Sequence, residues 1–300
     1  MGDVLTKAIA KGVRAYASVT TDTVNEAITR HKLSPLAAAA LGRTMTGALL
    51  LAANLKNKEA VTLKIAGDGV LGKITADATP EGYVRGFLEN PAANLPLKSD
   101  GKLAVGAGVG RGFLFLTRFT GLKEPVTGSA ELISGEIAED ITNYLFVSEQ
   151  TPSSVGLGVL VDTDGAAKAA GGFFLQTLPD IDDEILNIVE ENIKKLPPVS
   201  TLISEGKSAE DILKLLLNGA PDFEMLTKTD VSFRCKCSRE RIEEVLISTG
   251  EKELKSLIAD GRAEVVCHFC GEKYEFNKDD LEMLLRVTEK AKKWKEEHGI

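Results

Sequence analysis

The residues with the most reactive chemistry are four thiols near the end of the chain: Cys235-Lys-Cys237 and Cys267-His-Phe-Cys270. They are the only cysteines in 300 residues, and 29 residues separate the two pairs. Two tight pairs of soft ligands read as one four-thiolate zinc site, because tetrahedral zinc needs four donors converging on one point. In an extended segment residues two apart point to the same side, so Cys235 and Cys237 can face one metal. The CxxC pair supplies a tight turn with two more sulfurs. Four thiolates fill a tetrahedral shell, whereas a catalytic zinc keeps one position open for water or substrate. The spacing therefore predicts one zinc ion per chain, held by Cys235, Cys237, Cys267 and Cys270, and no enzyme. His268 lies between two ligand cysteines and is the one substitute ligand nearby.

Other chemistry is tempting but incomplete. Gly67-Asp-Gly69-Val-Leu-Gly72 fits GxGxxG, and with Lys73 it approaches a phosphate-binding loop. Position eight is Ile74, which has no hydroxyl for magnesium, and Lys73 to Ala76 reads as a strand. Both motifs need a helix directly afterwards to aim N–H groups at phosphate. A hairpin turn is the reading here. Gly106-x-Gly-x-Gly-x-Gly112 likewise reads as a flexible connection. No serine has a plausible His/Asp setting. No His-x-Glu accompanies the CxxC, so the zinc-deaminase signature is missing. Glu136, Glu139 and Asp140 read as first-turn helix charges.

The elements that must position the thiols follow from periodicity. Val13 to Thr20 reads as a strand and Thr23 to His31 as a helix. Ser34-Pro35 opens a long Ala/Leu-rich helix to about Leu55, with Pro35 suited to its first turn. That helix is apolar enough to raise a membrane span, but Arg43 sits in its middle, where a charge is costly. A buried core helix is the expectation. Short strands follow at Val61–Ile65, Lys73–Ala76, Tyr83–Leu88, Leu103–Val105 and Gly112–Thr117, separated by Gly, Pro and Asp turns. Ser134 is placed to cap a helix from about Gly135 to Val147. Val155–Asp162 and Ala170–Gln176 form a further strand pair. Runs of strands flanked by helices predict an α+β domain of antiparallel sheet with packed helices over residues 1–178.

Charge then shifts. The formal charge is −8, and residues 180–230 alone hold 5 basic against 12 acidic side chains, carrying −7 of it. Residues 179–230 are thus expected as a helical acidic linker, with helices at Asp182–Leu196 and Ala209–Leu217 and a Pro197-Pro198 break between them. Two readings of it stand side by side: an ordinary helix pair packed on the first domain, or a marginally stable, releasable segment. Residues 231–300 form the small zinc domain. It has helices at Arg239–Leu246 and Glu251–Ala259, a strand pair turning at Cys267–Gly271, and a last helix capped by Asn277. Such a unit has little core, so metal supplies much of its stability.

Apolar content of 43% and charged content of 27% fit an ordinary soluble globular protein. The acidic balance argues against a nucleic-acid binder, and no signal peptide is visible. Four cysteines in so long a chain suit a reducing compartment, so a cytoplasmic location without membrane association is expected.

At this point the residues resemble a known family, the redox-regulated 33-kDa heat-shock chaperones of bacteria. The signature is Phe233-Arg-Cys235-Lys-Cys237-Ser-Arg-Glu-Arg241, then Cys267-His-Phe-Cys270 and Tyr274-Glu-Phe276. Ala66 to Gly72, Val84-Arg85-Gly86, Asn90-Pro91, Ser134 to Asp140, Ser148 to Val155 and Gly171-Gly172-Phe173 resemble it too. The family often has Pro where Val70 stands. The resemblance implies an ATP-independent holdase, inactive when reduced and zinc-bound. Oxidation then releases zinc and forms two neighbouring disulfides, Cys235–Cys237 and Cys267–Cys270. The linker loosens, apolar surface binds unfolding client proteins, and the active form is a homodimer. The alternative is a constitutive zinc-ribbon binding module without redox switching. It needs a basic face, for which only Lys290, Lys292, Lys293 and Lys295 near Trp294 offer a hint.

Overall fold

The computed structural model describes residues 2–56, 58–121, 124–179 and 181–298. Compactness divides the chain into two units, Met1–Arg234 and Cys235–Ile300, where three segments are expected from sequence.

The first unit begins with strands β1 (Val4–Ala10) and β2 (Val13–Val19) and helices α1 (Thr21–His31) and α2 (Pro35–Ala52). Strands β3 (Ala60–Gly67), β4 (Lys73–Ala78) and β5 (Tyr83–Leu88) follow, then α3 (Val105–Val109), β6 (Gly112–Phe119), β7 (Val126–Glu131) and α4 (Ala138–Glu149). The unit continues through β8 (Ser153–Val161), β9 (Ala167–Thr177), α5 (Asp183–Lys195), α6 (Val199–Ser204), α7 (Ala209–Leu216), β10 (Glu224–Asp230) and β11 (Ser232–Phe233). One antiparallel sheet runs β10-β1-β2-β9-β8. The other runs β11-β5-β4-β3-β6-β7 and is antiparallel except for the short β11–β5 pair.

Helix α2 packs on strands of both sheets, so it has no solvent face and needs none in its sequence. Leu36, Leu41, Met45, Leu49 and Leu50 are fully buried. Ser34 accepts the Ala37 N–H (3.2 Å) and Pro35 occupies the first turn, as the sequence predicts. Among the described residues this is the helix long and apolar enough to cross a membrane, and it is 89% buried in the core.

A second core lies on the other face of the first sheet. Ala8, Val13, Ala15, Ala17, Phe173 and Leu175 present small and apolar side chains there. Ile185, Val189, Leu202, Ile212, Leu213 and Leu216 from α5, α6 and α7 cover them. The acidic segment is therefore seated on an apolar sheet face. It also ends in a strand, β10, that pairs with β1 from Val4↔Asp230 to Ile9↔Glu224. Helix α7 starts with the expected reciprocal cap, Ser208 with Asp211.

Several details differ from the sequence reading. Leu103–Val105 is not a strand; the chain turns there into α3. The helix expected from Gly135 starts at Ala138, and Asp140 rather than Ser134 organises its entry. The buried Asp140 carboxylate accepts N–H bonds from Ile133 (2.8 Å), Ser134 (3.1 Å) and Ile137 (2.9 Å). That holds Ile137 at φ 71, a region costly for a β-branched residue. Glu136 lies outside the helix and bridges Arg43 (2.6 Å) and Lys98 (2.5 Å). The Gly-rich stretch at 67–72 joins β3 to β4 as a hairpin, with no helix after it. A Cβ on Gly67 would stand 1.9 Å from the Val109 carbonyl oxygen, so close backbone approach explains that glycine.

The second unit holds α8 (Arg239–Ser248), α9 (Glu251–Asp260), the hairpin β12 (Arg262–Val266) and β13 (Lys273–Asn277), and α10 (Lys278–His298). Its core is six buried residues among those described: Leu246, Leu254, Ala263, Phe276, Leu281 and Leu284. Asn277 caps α10, accepting the Asp280 N–H at 3.0 Å while Asp280 accepts the Asn277 N–H at 3.0 Å.

Candidate metal centre

The four cysteine sulfurs lie within 4.8 Å of one another. Each pair is delivered by a different local device. Residues 235–237 follow β11 outside any regular element, with Cys235 and Cys237 half-buried and Lys236 exposed between them, the alternation expected of an extended segment. Ser238 caps α8 directly afterwards, and Arg241 reaches back to donate to the Lys236 carbonyl (2.9 Å). The second pair sits on the β12–β13 turn. The Cys267 carbonyl accepts N–H bonds from Cys270 (3.3 Å) and Gly271 (2.8 Å), while the Cys267 N–H donates to Glu272 (2.9 Å). Gly271 at φ 71 closes that turn.

Arg239 ties the two limbs together. It donates to the Glu275 carbonyl (2.8 Å) and the Asp280 carboxylate (2.9 Å), and its guanidinium lies 4.3 Å from the Phe276 ring centre. Arg239 and Arg241 belong to the Cys-Ser-Arg-Glu-Arg string, whose positioning roles the sequence alone does not disclose. Sequence reasoning placed Tyr274 in the signature but gave it no role; its hydroxyl donates to the Cys237 sulfur at 3.2 Å. The signal available was its place on the strand leaving the CxxC turn.

The two limbs meet sulfur to sulfur: Cys235 to Cys267 is 3.8 Å and Cys237 to Cys270 is 3.2 Å. Four sulfurs at about 2.3 Å from a tetrahedral zinc stand about 3.8 Å apart, so the donor set has the size and softness for such an ion. Burial pushes the Cys267 and Cys270 thiols up, although backbone N–H donors pull both back. The Tyr274 hydroxyl is pushed up, first by its bond to Cys237 and then by burial. His268 is exposed and is not one of the four converging ligands. The side chains of Lys292, Lys293 and Lys295, invoked for a basic face, lie outside the described residues.

The chain thus joins an α+β unit, with an apolar sheet face under acidic helices, to a small unit built on four converging thiols. The family model described as Hsp33 protein matches residues 3–277. The 33 kDa chaperonin of Desulforamulus reducens is 50% identical over 294 residues, covering 97% of this chain and all of that protein. The 33 kDa chaperonin of Bacillus subtilis is 47% identical over 290 residues, covering 95% and 99%. The crystal structure of the 33 kDa chaperonin from Thermotoga maritima superposes with a TM-score of 0.88 at 37% identity, covering 95% and 98%. The chain belongs to the Hsp33 family: it is a redox-regulated holdase chaperone with a four-cysteine centre, not a catalyst, and its partners are client proteins.

Proposed function

We propose that Cys235, Cys237, Cys267 and Cys270 hold one zinc ion in the reduced protein, and that oxidation converts them to the disulfides Cys235–Cys237 and Cys267–Cys270. The convergence of four sulfurs within 4.8 Å carries this reading. A cation would keep the sulfurs as thiolates, the form that reacts with peroxide. Closing Cys235 to Cys237 bends the backbone. Two extended residues span roughly 6.5–7 Å, while bridged Cα atoms prefer about 5.5–6 Å.

The small second core cannot hold these residues in place without metal, so residues 235–298 unfold. The chain runs from β10 through β11 straight into Cys235, with the Arg234 N–H bonded to Val84 (2.8 Å). Unfolding that starts at Cys235 pulls next on β11 and β10, and then on α5, α6 and α7. Lifting those helices bares the apolar sheet face of Ala8, Val13, Ala15 and Leu175 to unfolding clients in the cytoplasm. The same bared face draws two copies into a homodimer. The three sequence-defined segments, 1–178, 179–230 and 231–300, are on this reading the anchored, releasable and switching parts.

The test measures zinc and free thiols in the reduced protein, then both together with client aggregation during peroxide treatment. One zinc and four thiols per chain, lost as aggregation is suppressed, is the expected result. Mass mapping must find bridges within each motif; bridges between motifs would refute the pairing.

A further inference from the structure

Tyr274 sits on β13, paired with Val265 across the hairpin, and its ring is half-buried against the small core. Its hydroxyl points at Cys237 and donates to that sulfur at 3.2 Å. Cys267 receives backbone N–H donors from Phe269 and Cys270, and Cys270 receives one from Glu272. Those donors belong to the turn and come with any CxxC hairpin. The Tyr274 donor is different, because a side chain supplies it to the other cysteine pair.

Resting on the thiolate-switch reading above, we propose that Tyr274 sets the oxidation threshold of the switch by damping the reactivity of Cys237. A hydrogen bond to a thiolate draws electron density from the lone pair that must attack an oxidant. In the reaction at issue, the Cys237 thiolate attacks one oxygen of hydrogen peroxide. An S–O bond forms as the O–O bond breaks, hydroxide leaves, and the sulfur is oxidised to a sulfenic acid while peroxide is reduced. A neighbouring thiolate then displaces the second hydroxide and forms the disulfide. The hydroxyl acts on the first step only, and it keeps its proton throughout.

The test compares reduced, zinc-loaded full-length protein with Tyr274→Phe, which keeps the ring and removes the donor. Iodoacetamide alkylation is followed cysteine by cysteine by mass spectrometry, and zinc release by peroxide is followed with a metal dye. Cys237 is expected to alkylate about three- to tenfold faster in the variant, the scale of the net contribution of one typical hydrogen bond. Cys267 should change less than about twofold on the same scale. Peroxide-driven zinc release should accelerate with Cys237. Tyr274→Leu also lacks the donor and must show the same bias toward Cys237. Equal Cys237 rates in all three proteins overturn the proposal. So does uniform acceleration of all four cysteines with a lowered melting temperature, which marks a purely structural tyrosine. If peroxide frees no zinc from the unmodified protein, the switch reading fails, while the alkylation ratio still decides the role of Tyr274.

Discussion

The two units of this chain are stabilised by different physics. The first surrounds a fully buried helix with two sheets and adds a second core beneath α5, α6 and α7. Among the described residues, the second has a core of six buried apolar side chains and one knot of sulfur. Hydrophobic burial is distributed over many side chains, so no single reagent removes it. A metal centre concentrates its stabilisation in four atoms that one oxidant can reach. On the function proposed above, this contrast lets an oxidant unfold one end of the molecule while the other keeps its shape. The acidic segment is intermediate: it is held by burial, but on one face and through amphipathic helices.

Removing the proposed zinc should break the contrast most severely. Chelation, or Cys270→Ser, should strip amide-exchange protection from residues 235–298, since structural zinc contributes on the order of 10 kcal/mol. Protection in α2 should survive. Next in size, Leu49→Ala in the fully buried face of α2 should cost roughly 2–5 kcal/mol. Denaturant melting should show that loss in the first unit alone, with zinc affinity unchanged. Leu213→Ala on α7 probes the intermediate region. A loss of roughly 2–3 kcal/mol there should raise dye binding by exposed apolar surface and give partial holdase activity without oxidant.

The smallest effect concerns Asp3. Its carboxylate accepts the Asp22 and Thr23 N–H groups at the start of α1, at 3.1 and 2.6 Å. Burial outweighs these bonds and raises its proton affinity above the ordinary carboxylate value of 3.8. The folded state therefore binds this proton more tightly than the unfolded state. Its contribution to stability is greatest at low pH and declines as pH rises from 3.8 through the raised value. Asp3→Asn should flatten that part of the pH–stability profile of the first unit, measured by denaturant melts across acidic pH.

The convergence of the four thiols was legible because thiols are rare and their spacing is chemically restrictive. Helix α2 was legible because an apolar run after Ser34-Pro35 carries both its cap and its burial. Strand β10 was not. Its sequence, Glu224 to Asp230, is largely exposed and polar, and only pairing with the distant β1 makes it a strand. Strand β1 was passed over although it forms a hairpin with the neighbouring β2; only its other partner, β10, is remote in sequence. Strand β7, Val126–Glu131, is an exposed sheet edge without an alternating pattern strong enough to read. The expected strand at Leu103–Val105 lost to the turn into α3. At the cluster itself, the candidate ligands follow from residue type, whereas the aim of Arg239 and Tyr274 depends on how the hairpin folds back on the CxC limb.

The most direct test is time-resolved amide exchange during peroxide activation, with zinc and client aggregation measured on the same samples. The account predicts that zinc and protection across residues 235–298 are lost together, that residues 183–230 follow, that α2 stays protected, and that client rescue tracks the second event. Full client rescue while residues 183–230 remain protected, or while zinc stays bound, would contradict it.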